Sequence, residues 1–338
     1  MQALVTGGTG FLGRYIVDQL RAQGDNVRCF ARGAADRSQR SDVEWVCGDL
    51  RDALATRAAC AGIDVVFHVA GVAGLWGEWK HFYDNNVLAT RHIIQGCRQH
   101  GVPKLVFTSS PSVTFDGRPQ ENVNELVGYA RRWLSNYSHS KALAEQEVLA
   151  ANSQGLATCA LRPHAIWGPG DRHLLPRIID KARNGQLRRI GNGQNRIDMV
   201  YVENAARAHL QAAEALSTGS ALVGKPYFIS QGEPVNCWQW INEVLALAGL
   251  PPVEQAISLN VAWYAGAACE LVYRIRGISA EPPITRYLAS LLGTSHYFDI
   301  SRARQDFGFD PVITKVEGML RLEKFIRDLP KRCSTSGK

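Results

Sequence analysis

The sequence predicts an α/β protein in which a doubly wound parallel sheet is followed by a smaller C-terminal lobe. Six short β-branched runs alternate with amphipathic stretches over the first half of the chain, as they do in βαβ units. A glycine-rich turn directly follows the first of these runs. The chain has 338 residues, enough for a large sheet and a second lobe. This combination is typical of a Rossmann domain joined to a substrate lobe.

The elements follow from the positions of these runs. The predicted strands of the sheet are 3–6, 27–31, 43–47, 64–69, 104–108 and 158–162. Gly24 and Gly101 are expected to end the helices before the second and fifth strands. Beyond Gly168 the pattern predicts a turn at 191–193, a helix over 203–216 and a strand at 226–230, all placed in the smaller lobe. We therefore expect a Rossmann core in 1–165 with later returns of the chain to it, a mainly substrate-binding lobe in 166–330, and a flexible tail in 331–338.

Composition narrows the class of protein. The net charge is +7, but lysines and arginines are interspersed with acids, so a nucleic-acid partner is not expected. The eight cysteines form no CxxC pair, which favours a reducing compartment. The first apolar stretch runs into the glycine turn without a basic segment, so we expect no secretory signal and a cytoplasmic location.

Residues 261–274 are the most apolar stretch of the second lobe. No run of 18 apolar residues exists in the chain, so a transmembrane helix is not expected. Glu270 interrupts the stretch, and we interpret it as a buried helix over the substrate pocket. An interfacial membrane helix is the alternative.

The glycine turn suits a pyrophosphate. Gly7, Gly10 and Gly13 lie between a strand and a helix, within the run Thr6-Gly7-Gly8-Thr9-Gly10-Phe11-Leu12-Gly13. Bare backbone lets N–H groups approach closely, and the helix N-terminus adds partial positive charge. Glycine turns also occur without ligands, so this pattern gains its meaning from its context.

The end of the second strand indicates NADP rather than NAD. A carboxylate at this position usually binds the adenosine ribose hydroxyls. This chain instead has Ala31 followed by Arg32, with Arg37 nearby. Small and cationic side chains suit a 2′-phosphate. We therefore expect NADP(H) to be preferred over NAD(H).

A second constellation suits proton transfer. Tyr137 and Lys141 are four residues apart, on one face of a predicted helix. A neighbouring ammonium stabilises phenolate, so we expect Lys141 to lower the pKa of Tyr137 toward the working range of an acid/base catalyst. The run Thr108-Ser109-Ser110 follows a predicted strand, and a hydroxyl there can hold a substrate oxygen.

Taken together, these motifs make the chain resemble the extended short-chain dehydrogenases/reductases. The resemblance rests on the glycine turn and on six further motifs in the same order: Gly48-Asp49-Leu50, His68-Val69-Ala70-Gly71, Asn86-Val87, Ser109-Ser110, Tyr137-x-x-x-Lys141 and Leu161-Arg162-Pro163. They span more than half of the chain. One departure is Ala89, which stands where the family usually has glycine.

The resemblance implies roles for individual residues. Tyr137 would exchange the proton, and Lys141 would adjust the pKa of Tyr137 and bind the nicotinamide ribose. Ser110 would orient the carbonyl, with Ser109 or Ser112 as neighbouring alternatives. Asp49 would meet the adenine, Asn86 would support the proton relay, and Pro163 and His164 would meet the nicotinamide amide. The remaining cofactor contacts would come from Thr6, Gly7, Thr9, Gly10, Phe11, Leu12, Gly13, Leu50, Ala70, Gly71 and Ser109.

The resemblance also implies a branch and a substrate class. The run 200–209, Val-Tyr-Val-Glu-Asn-Ala-Ala-Arg-Ala-His, resembles the 3β-hydroxysteroid dehydrogenase branch. Stretches at 74–77, 167–171, 227–230 and 281–283 resemble bacterial reductases of long-chain β-keto acids in olefin biosynthesis. We expect a ketone/secondary-alcohol oxidoreductase for an apolar substrate. The alternatives are a sterol dehydrogenase, a sugar-nucleotide epimerase or dehydratase, and a non-catalytic NADP-binding regulator.

Partners and metals complete the expectations. The family usually dimerises through helices at 82–99 and 137–149, so a homodimer is implied. Association with a membrane surface or a multi-enzyme complex is left open. Nine histidines are present, but none stands at a recognised ligand spacing from Cys, Asp or Glu, so no metal site is expected. His68 and His139 are interpreted as structural.

Overall fold

The computed structural model describes residues 1–33 and 41–328. The strands are β1 (Gln2–Thr6), β2 (Asn26–Ala31), β3 (Glu44–Cys47), β4 (Val65–His68), β5 (Lys104–Thr108), β6 (Gln120–Val123), β7 (Ala157–Pro163), β8 (Ile166–Trp167), β9 (Arg189–Ile190), β10 (Arg196–Ile197), β11 (Val200–Tyr201), β12 (Lys225–Ile229), β13 (Val235–Asn236), β14 (Ala256–Ile257) and β15 (His296–Phe298). The helices are α1 (Phe11–Ala22), α2 (Ala53–Ala59), α3 (Trp79–Phe82), α4 (Ala89–His100), α5 (Asn136–Ala150), α6 (Leu174–Arg183), α7 (Val202–Ala215), α8 (Cys237–Leu247), α9 (Leu259–Ile275), α10 (Arg286–Gly293), α11 (Ser301–Phe307) and α12 (Lys315–Asp328).

Within the described residues, seven parallel strands form the main sheet, in the order β12-β7-β5-β4-β1-β2-β3. Each of the six strands predicted for it is present, within one or two residues at its ends. The order reverses at β1, which lies between β2 and β4. In doubly wound sheets the crevice beyond such a reversal binds the ligand. The Rossmann prediction is confirmed.

Two later segments return to this sheet, and our placement of them in the smaller lobe was wrong. β12 pairs in parallel with β7 along its whole length. α7 lies against α1, where the Gln19 side chain donates to the backbone carbonyl of Glu203 at 3.0 Å. Tyr227, Phe228 and Ile229 are fully buried. The edge of β7 is thereby covered by the apolar strand β12. The local sequence pattern of β12 alone does not show to which lobe this strand belongs.

The smaller lobe is built around a second core. A four-stranded sheet, β13-β10-β15-β6, accompanies helices α6, α8, α9, α10 and α12. Trp167, Trp238 and Trp240 lie at the centre of this core. Since β6 comes from residues 120–123, this lobe also takes in chain from before residue 165. The boundary at residue 165 stays a prediction, and the tail 331–338 lies outside the described residues.

α9 is not the buried helix that we expected. Its large apolar side chains Val261, Tyr264, Leu271, Val272 and Ile275 are exposed. The charged residue in the stretch, Glu270, is turned inward instead and is only 3% exposed. The apolar composition was correctly recognised, but composition alone does not show which face meets the protein. Over the described residues, no helix is both long and apolar enough to cross a membrane.

Candidate active site

The glycine turn lies at the carboxyl end of β1. Gly7 has a φ of +73°, and Gly10 is the N-cap of α1, with its N–H donating to the carbonyl of Gly7 at 2.8 Å. A Cβ on Gly13 would stand 2.1 Å from that carbonyl oxygen, and one on Gly7 would stand 2.9 Å from the backbone of Ala70. Only glycine permits both approaches. The turn is therefore a bare backbone surface that fits a pyrophosphate.

A cleft of about 240 Å3 lies beyond this turn. It collects eight of the nineteen residues predicted to bind the cofactor, and adds four that sequence reasoning did not assign to it. The predicted members are Gly7, Thr9, Gly10, Arg32, Asp49, Leu50, Ala70 and Gly71, and the additional ones are Phe30, Gly48, Val72 and Asn85. Gly48 packs against the Phe30 ring, where a Cβ would stand 2.4 Å from the nearest ring carbon. The residues present therefore fit an adenosine and its phosphates.

The rim of this cleft carries one exposed arginine and one aspartate. Arg32 is exposed at the end of β2. Asp49 accepts two hydrogen bonds from the Arg51 side chain, at 2.7 and 3.0 Å. Hydrogen bonds from Arg51 hold the pKa of Asp49 below its ordinary value, and the charge of Arg32 contributes. Arg37, the other predicted phosphate ligand, lies outside the described residues.

Some predicted cofactor residues support the cleft from behind. Thr6 is buried, and its hydroxyl bonds Nδ1 of His68 at 2.8 Å and accepts from the backbone N–H of Ala70 at 3.2 Å. Burial lowers the pKa of His68 to about 3, with a smaller contribution from Lys141. His68 is therefore neutral. Leu12 is likewise buried and Phe11 packs against the core.

Asn86 lies in a π-helical segment, Tyr83–Leu88, between α3 and α4. Its amide accepts from the backbone N–H of Val72 at 2.8 Å and donates to the carbonyl of the same residue at 3.1 Å. It also donates to the hydroxyl of Ser140 at 2.9 Å. Such a π-bulge often accompanies a functional site. Here it joins the loop after β4 to α5, which carries Tyr137 and Lys141.

Tyr137 and Lys141 lie one turn apart in α5, which begins at Asn136 after the Ser135 cap. The Lys141 ammonium donates to the carbonyl of Thr108 at 2.6 Å and lies 4.0 Å from the centre of the Phe107 ring. Burial lowers the pKa of Lys141 to about 7, although Glu145 raises it in part. α5 and the end of β5 are thereby held together at the carboxyl edge of the sheet.

The predicted effect of this lysine on Tyr137 was wrong for the arrangement seen here. Burial raises the pKa of Tyr137 above its ordinary value, and the hydrogen-bonding Ser110 hydroxyl lowers it in part. The Lys141 ammonium is engaged by a backbone carbonyl. Desolvation therefore dominates, and the phenol is kept protonated.

Ser110 is the serine whose hydroxyl influences the pKa of Tyr137. It caps a 3-10 turn, Pro111–Val113, by accepting from the N–H of Ser112 at 3.2 Å. The hydroxyls of Ser109 and Ser112 are buried, and neither has a hydrogen-bond partner among the described residues. Of the three candidates, Ser110 is the one whose hydroxyl lowers the pKa of Tyr137.

An apolar cavity of about 240 Å3 opens beside Ser110. Its walls come from the turn after β5, the end of β7, α10 and β15, and they include Pro163, His164, Phe115, Leu174, Leu291 and Phe298. His164 Nδ1 lies 3.0 Å from Oδ1 of the fully buried Asp198, whose other oxygen accepts from the N–H of Phe298. The cavity presents a mainly apolar surface to a ligand whose oxygen reaches Ser110.

A second cavity, of about 320 Å3, lies on the other side of the start of α5. It is lined by Ser135 and Asn136 and by residues from two segments, 75–78 and 273–279, each of which contributes one aromatic side chain. Trp133, Trp76 and Tyr273 form its walls, and the Trp76 indole donates to the carbonyl of Ile278 at 3.3 Å. Long substrate chains were expected beneath 263–273, whereas Tyr273 and Arg274, at the C-terminal end of α9, are the residues of this helix that line this cavity.

One buried charge pair was missed. Arg162 donates to Glu145 at 2.5 and 3.0 Å, and both side chains are at least 98% buried. Tyr129 donates to the same carboxylate at 2.8 Å. The spacing of Glu145, four residues after Lys141 on α5, was the available signal. Among the described residues, no cluster of His, Cys, Asp and Glu has the makings of a metal site.

Comparison with known proteins agrees with this geometry. The chain is 44% identical over 325 residues to a 2-alkyl-3-oxoalkanoate reductase of Stenotrophomonas maltophilia (strain K279a), covering 96% of this chain and 98% of that protein. It is 35% identical to the decarboxylating sterol-4-alpha-carboxylate 3-dehydrogenase of Mus musculus, covering 97% and 91%. A solved structure titled MoeE5 in complex with UDP-glucose and NAD matches with a TM-score of 0.74 at 26% identity, covering 97% and 99%.

The sequence profile of one family extends over most of the main sheet and into the smaller lobe. It matches residues 4–260, which include the glycine turn, Ser110, Tyr137 and Lys141. The chain belongs to the 3-beta hydroxysteroid dehydrogenase/isomerase family.

Proposed function

We propose that this protein is an NADP-dependent oxidoreductase that interconverts a ketone and a secondary alcohol on an apolar substrate, with a 2-alkyl-3-oxoalkanoate as that substrate. The observation that carries the proposal is the position of the Ser110–Tyr137 pair. Ser110 lines an apolar cavity, and the cleft of the glycine turn lies at the same edge of the sheet. The Stenotrophomonas relative supports the substrate class.

The side chains of the site have separate roles in this reaction. When bound, NADPH supplies the hydride for a ketone carbon. The hydroxyls of Ser110 and Tyr137 would donate to the carbonyl oxygen, and Tyr137 would give up its proton as the alkoxide forms. Burial keeps the phenol protonated until that charge develops. Apolar walls such as Phe115, Leu174 and Phe298 exclude water from the reacting oxygen.

The preference for NADP rests on Arg32. This exposed arginine follows Ala31 and lines the same cleft as Asp49. A guanidinium binds a phosphate through two hydrogen bonds. Ala31 leaves space for that phosphate at a position where an acidic side chain would repel it. Arg37 is proposed as a second phosphate ligand.

The remaining cofactor contacts extend from the turn to the active site. We propose that Pro163 and His164 meet the nicotinamide, that Lys141 and Tyr137 meet its ribose, and that Ser109 and Asn86 support it. Residues 1–165 would then hold most of the cofactor and 166–330 most of the substrate. Lys141 has N–H donors available for the ribose, because the carbonyl of Thr108 is the only hydrogen-bond acceptor that its ammonium contacts among the described residues.

A sterol substrate is the second candidate, because a sterol dehydrogenase relative is 35% identical over nearly the whole chain. A sugar-nucleotide epimerase would use the same triad, but the cavity beside Ser110 is walled mainly by apolar groups. A non-catalytic regulator would not need Ser110, Tyr137 and Lys141, and all three are present. A β-keto acid thus remains the proposal.

The proposal includes a cytoplasmic homodimer that pairs through α4 and α5. These neighbouring helices are joined by an exposed ion pair in which Arg91 donates to Glu147 at 2.6 Å. Peripheral association with a membrane or a multi-enzyme complex is also part of the proposal, and α9 is the surface available for it.

A substrate panel tests the function. The purified chain is offered 2-alkyl-3-oxo acids, sterols and UDP-sugars, and oxidation or reduction of the cofactor is followed by NADPH absorbance. We expect turnover of the β-keto acids and none of the UDP-sugars. NAD retained through purification, together with UDP-sugar turnover, would reject the proposal in favour of an epimerase or dehydratase.

A further inference from the structure

α9 carries an apolar stripe along its outer face. The stripe consists of Val261, Tyr264, Ala265, Ala268, Leu271, Val272 and Ile275, and all seven are exposed. Tyr264, Leu271 and Ile275 expose 69%, 59% and 76% of their surface. At 100° per residue these positions fall within an arc of about 120°. Exposed apolar residues this closely aligned mark an interaction surface.

The opposite face of α9 explains why the stripe cannot turn inward. A Cβ on Gly266 would stand 2.6 Å from the backbone of Thr285, so α9 and α10 approach closely there. Glu270 accepts from the N–H of Arg286 at 2.7 Å and from its side chain at 2.6 Å. This partly buried ion pair and the close approach fix the rotation of α9 about its axis. The stripe is therefore a permanent feature of the surface.

The charges around the stripe are basic. Arg274 and Arg276 are exposed in and just after its last turn, and Arg131 and Arg132 are exposed immediately before Trp133. Trp133 lines the same cavity as Arg274. Glu78 is the acidic residue that lines this cavity, and the acid on α9 itself, Glu270, points inward. This pattern complements an anionic lipid surface.

Aromatic side chains surround the C-terminal end of the stripe. The cavity of about 320 Å3 opens there, with walls formed by Trp76, Trp133 and Tyr273. Arg274 lies over the Trp76 ring, 5.5 Å from its centre. Tryptophan and tyrosine favour the boundary between headgroups and acyl chains, where an apolar body and a polar tip are both satisfied.

We propose that α9 docks onto the surface of an anionic lipid bilayer, with its apolar stripe at the acyl boundary and these arginines at the headgroups. The helix lies on the membrane rather than crossing it. The cavity beside Trp76 and Tyr273 then opens toward the lipid, where an apolar substrate would be dissolved. This role of the cavity rests on the proposed reaction. The docking makes the membrane association of the proposed function specific and does not depend on that reaction.

Vesicle flotation of the full chain tests the docking without substrate. We expect the protein to float with vesicles of phosphatidylcholine and phosphatidylglycerol and to bind much less to phosphatidylcholine alone. The double variant Leu271→Glu/Ile275→Glu should lose at least tenfold in partition coefficient. Arg276→Ala should lose about fivefold on anionic vesicles only. Leu54→Glu and Leu126→Glu, at exposed leucines away from α9, should bind as the unaltered chain does.

Three results would overturn the proposal. Absence of flotation with anionic vesicles is one, and equal binding to both kinds of vesicle is another. The third is that the Leu271/Ile275 variant changes the molar mass in light scattering from a larger assembly to a smaller one without altering vesicle binding, which would assign the stripe to a second copy. Melting temperatures and turnover of a short soluble substrate establish that the variants are folded. A failed substrate panel with successful flotation would reject the reaction and leave the docking intact.

Discussion

The ammonium of Lys141 donates a hydrogen bond of 2.6 Å to the backbone carbonyl of Thr108, which joins α5 to the last residue of β5. The same ammonium is fully buried against the Phe107 ring. A buried cation costs stability unless its partners compensate fully, and one carbonyl is only partial compensation. The position of Lys141 is therefore explained better by chemistry than by stability.

Replacing this lysine should stabilise the cofactor-free protein. Lys141→Met removes the buried charge, so we expect the free energy of unfolding to rise by about 1–2 kcal/mol at neutral pH while kcat/KM falls by about 100-fold or more. Denaturant unfolding and steady-state kinetics measure the two effects. Lys104→Met is the matched control, because Lys104 also donates to a backbone carbonyl, that of Ala213 at 2.8 Å, from the other end of β5.

The gain from Lys141→Met should depend on pH. The pKa of Lys141 is lowered to about 7 in the folded protein, whereas an unfolded lysine has a pKa of about 10.4. Between these values the unfolded chain binds more protons, so the stability of the unaltered protein rises with pH. The advantage of the methionine variant should be largest below pH 7 and shrink toward pH 10. An advantage that is constant over this range would contradict the burial of a charged Lys141.

Removing the phenol of Tyr137 should abolish turnover without unfolding the chain. Tyr137→Phe keeps the ring in place and removes the proton donor, so we expect kcat to fall by about 100- to 10,000-fold with little change in melting temperature. Tyr227→Phe is the control, since that hydroxyl bonds Asp306 beneath the main sheet. Near-normal turnover by Tyr137→Phe would reject the assignment.

Arg32 should determine the choice of cofactor. We expect Arg32→Ala to raise KM for NADPH by about tenfold or more, equivalent to about 1.4 kcal/mol or more of lost binding, and to leave KM for NADH unchanged. Arg118→Ala, at an arginine whose side chain is 86% exposed and far along the chain, provides the control. If NADH serves the unaltered enzyme at least as well as NADPH, the proposed preference is wrong.

Gly13 should tolerate no side chain. The Cβ of Gly13→Ala would overlap the Gly7 carbonyl at 2.1 Å, so the turn must open. We expect a loss of about 2–4 kcal/mol in the free energy of unfolding and loss of measurable NADPH binding. Gly128→Ala introduces the same group where no atom lies within 4 Å and should change stability by less than about 0.5 kcal/mol. Calorimetry and cofactor titration measure both variants.

The parts of the site that the sequence predicted are those with fixed local spacing. Gly7, Gly10 and Gly13 occupy one turn, and Tyr137 and Lys141 one helix face, so a short-range pattern contains their geometry. The direction of the pKa shift at Tyr137, in contrast, could not be predicted from local spacing. It depends on how deeply the ring is buried, and burial is decided by segments distant in the chain.

The misplaced elements fail for the same reason. β12 contains Pro226 and is short, so its apolar residues fit an edge strand of either sheet. The apolar run of α9 predicts a helix correctly, but Gly266 and Glu270 select its inward face through contacts with α10. The ion pair between Glu145 and Arg162 likewise joins a helix to a strand. Each of these features depends on contacts between segments that are distant in the chain, so a short stretch of sequence does not predict it.

Because β12 follows its partner β7 by many residues in the chain, it has a consequence for synthesis of the protein on the ribosome. The edge of β7 and the apolar residues beneath α7 are covered only by chain that follows residue 201. A nascent chain that has completed the glycine turn, Ser110 and Tyr137 must therefore wait for some ninety further residues before Phe228 and Ile229 seal the sheet. During that interval an unpaired parallel strand is open to wrong partners, including other nascent chains. We therefore expect the speed of translation over 164–229 to affect the yield of folded protein.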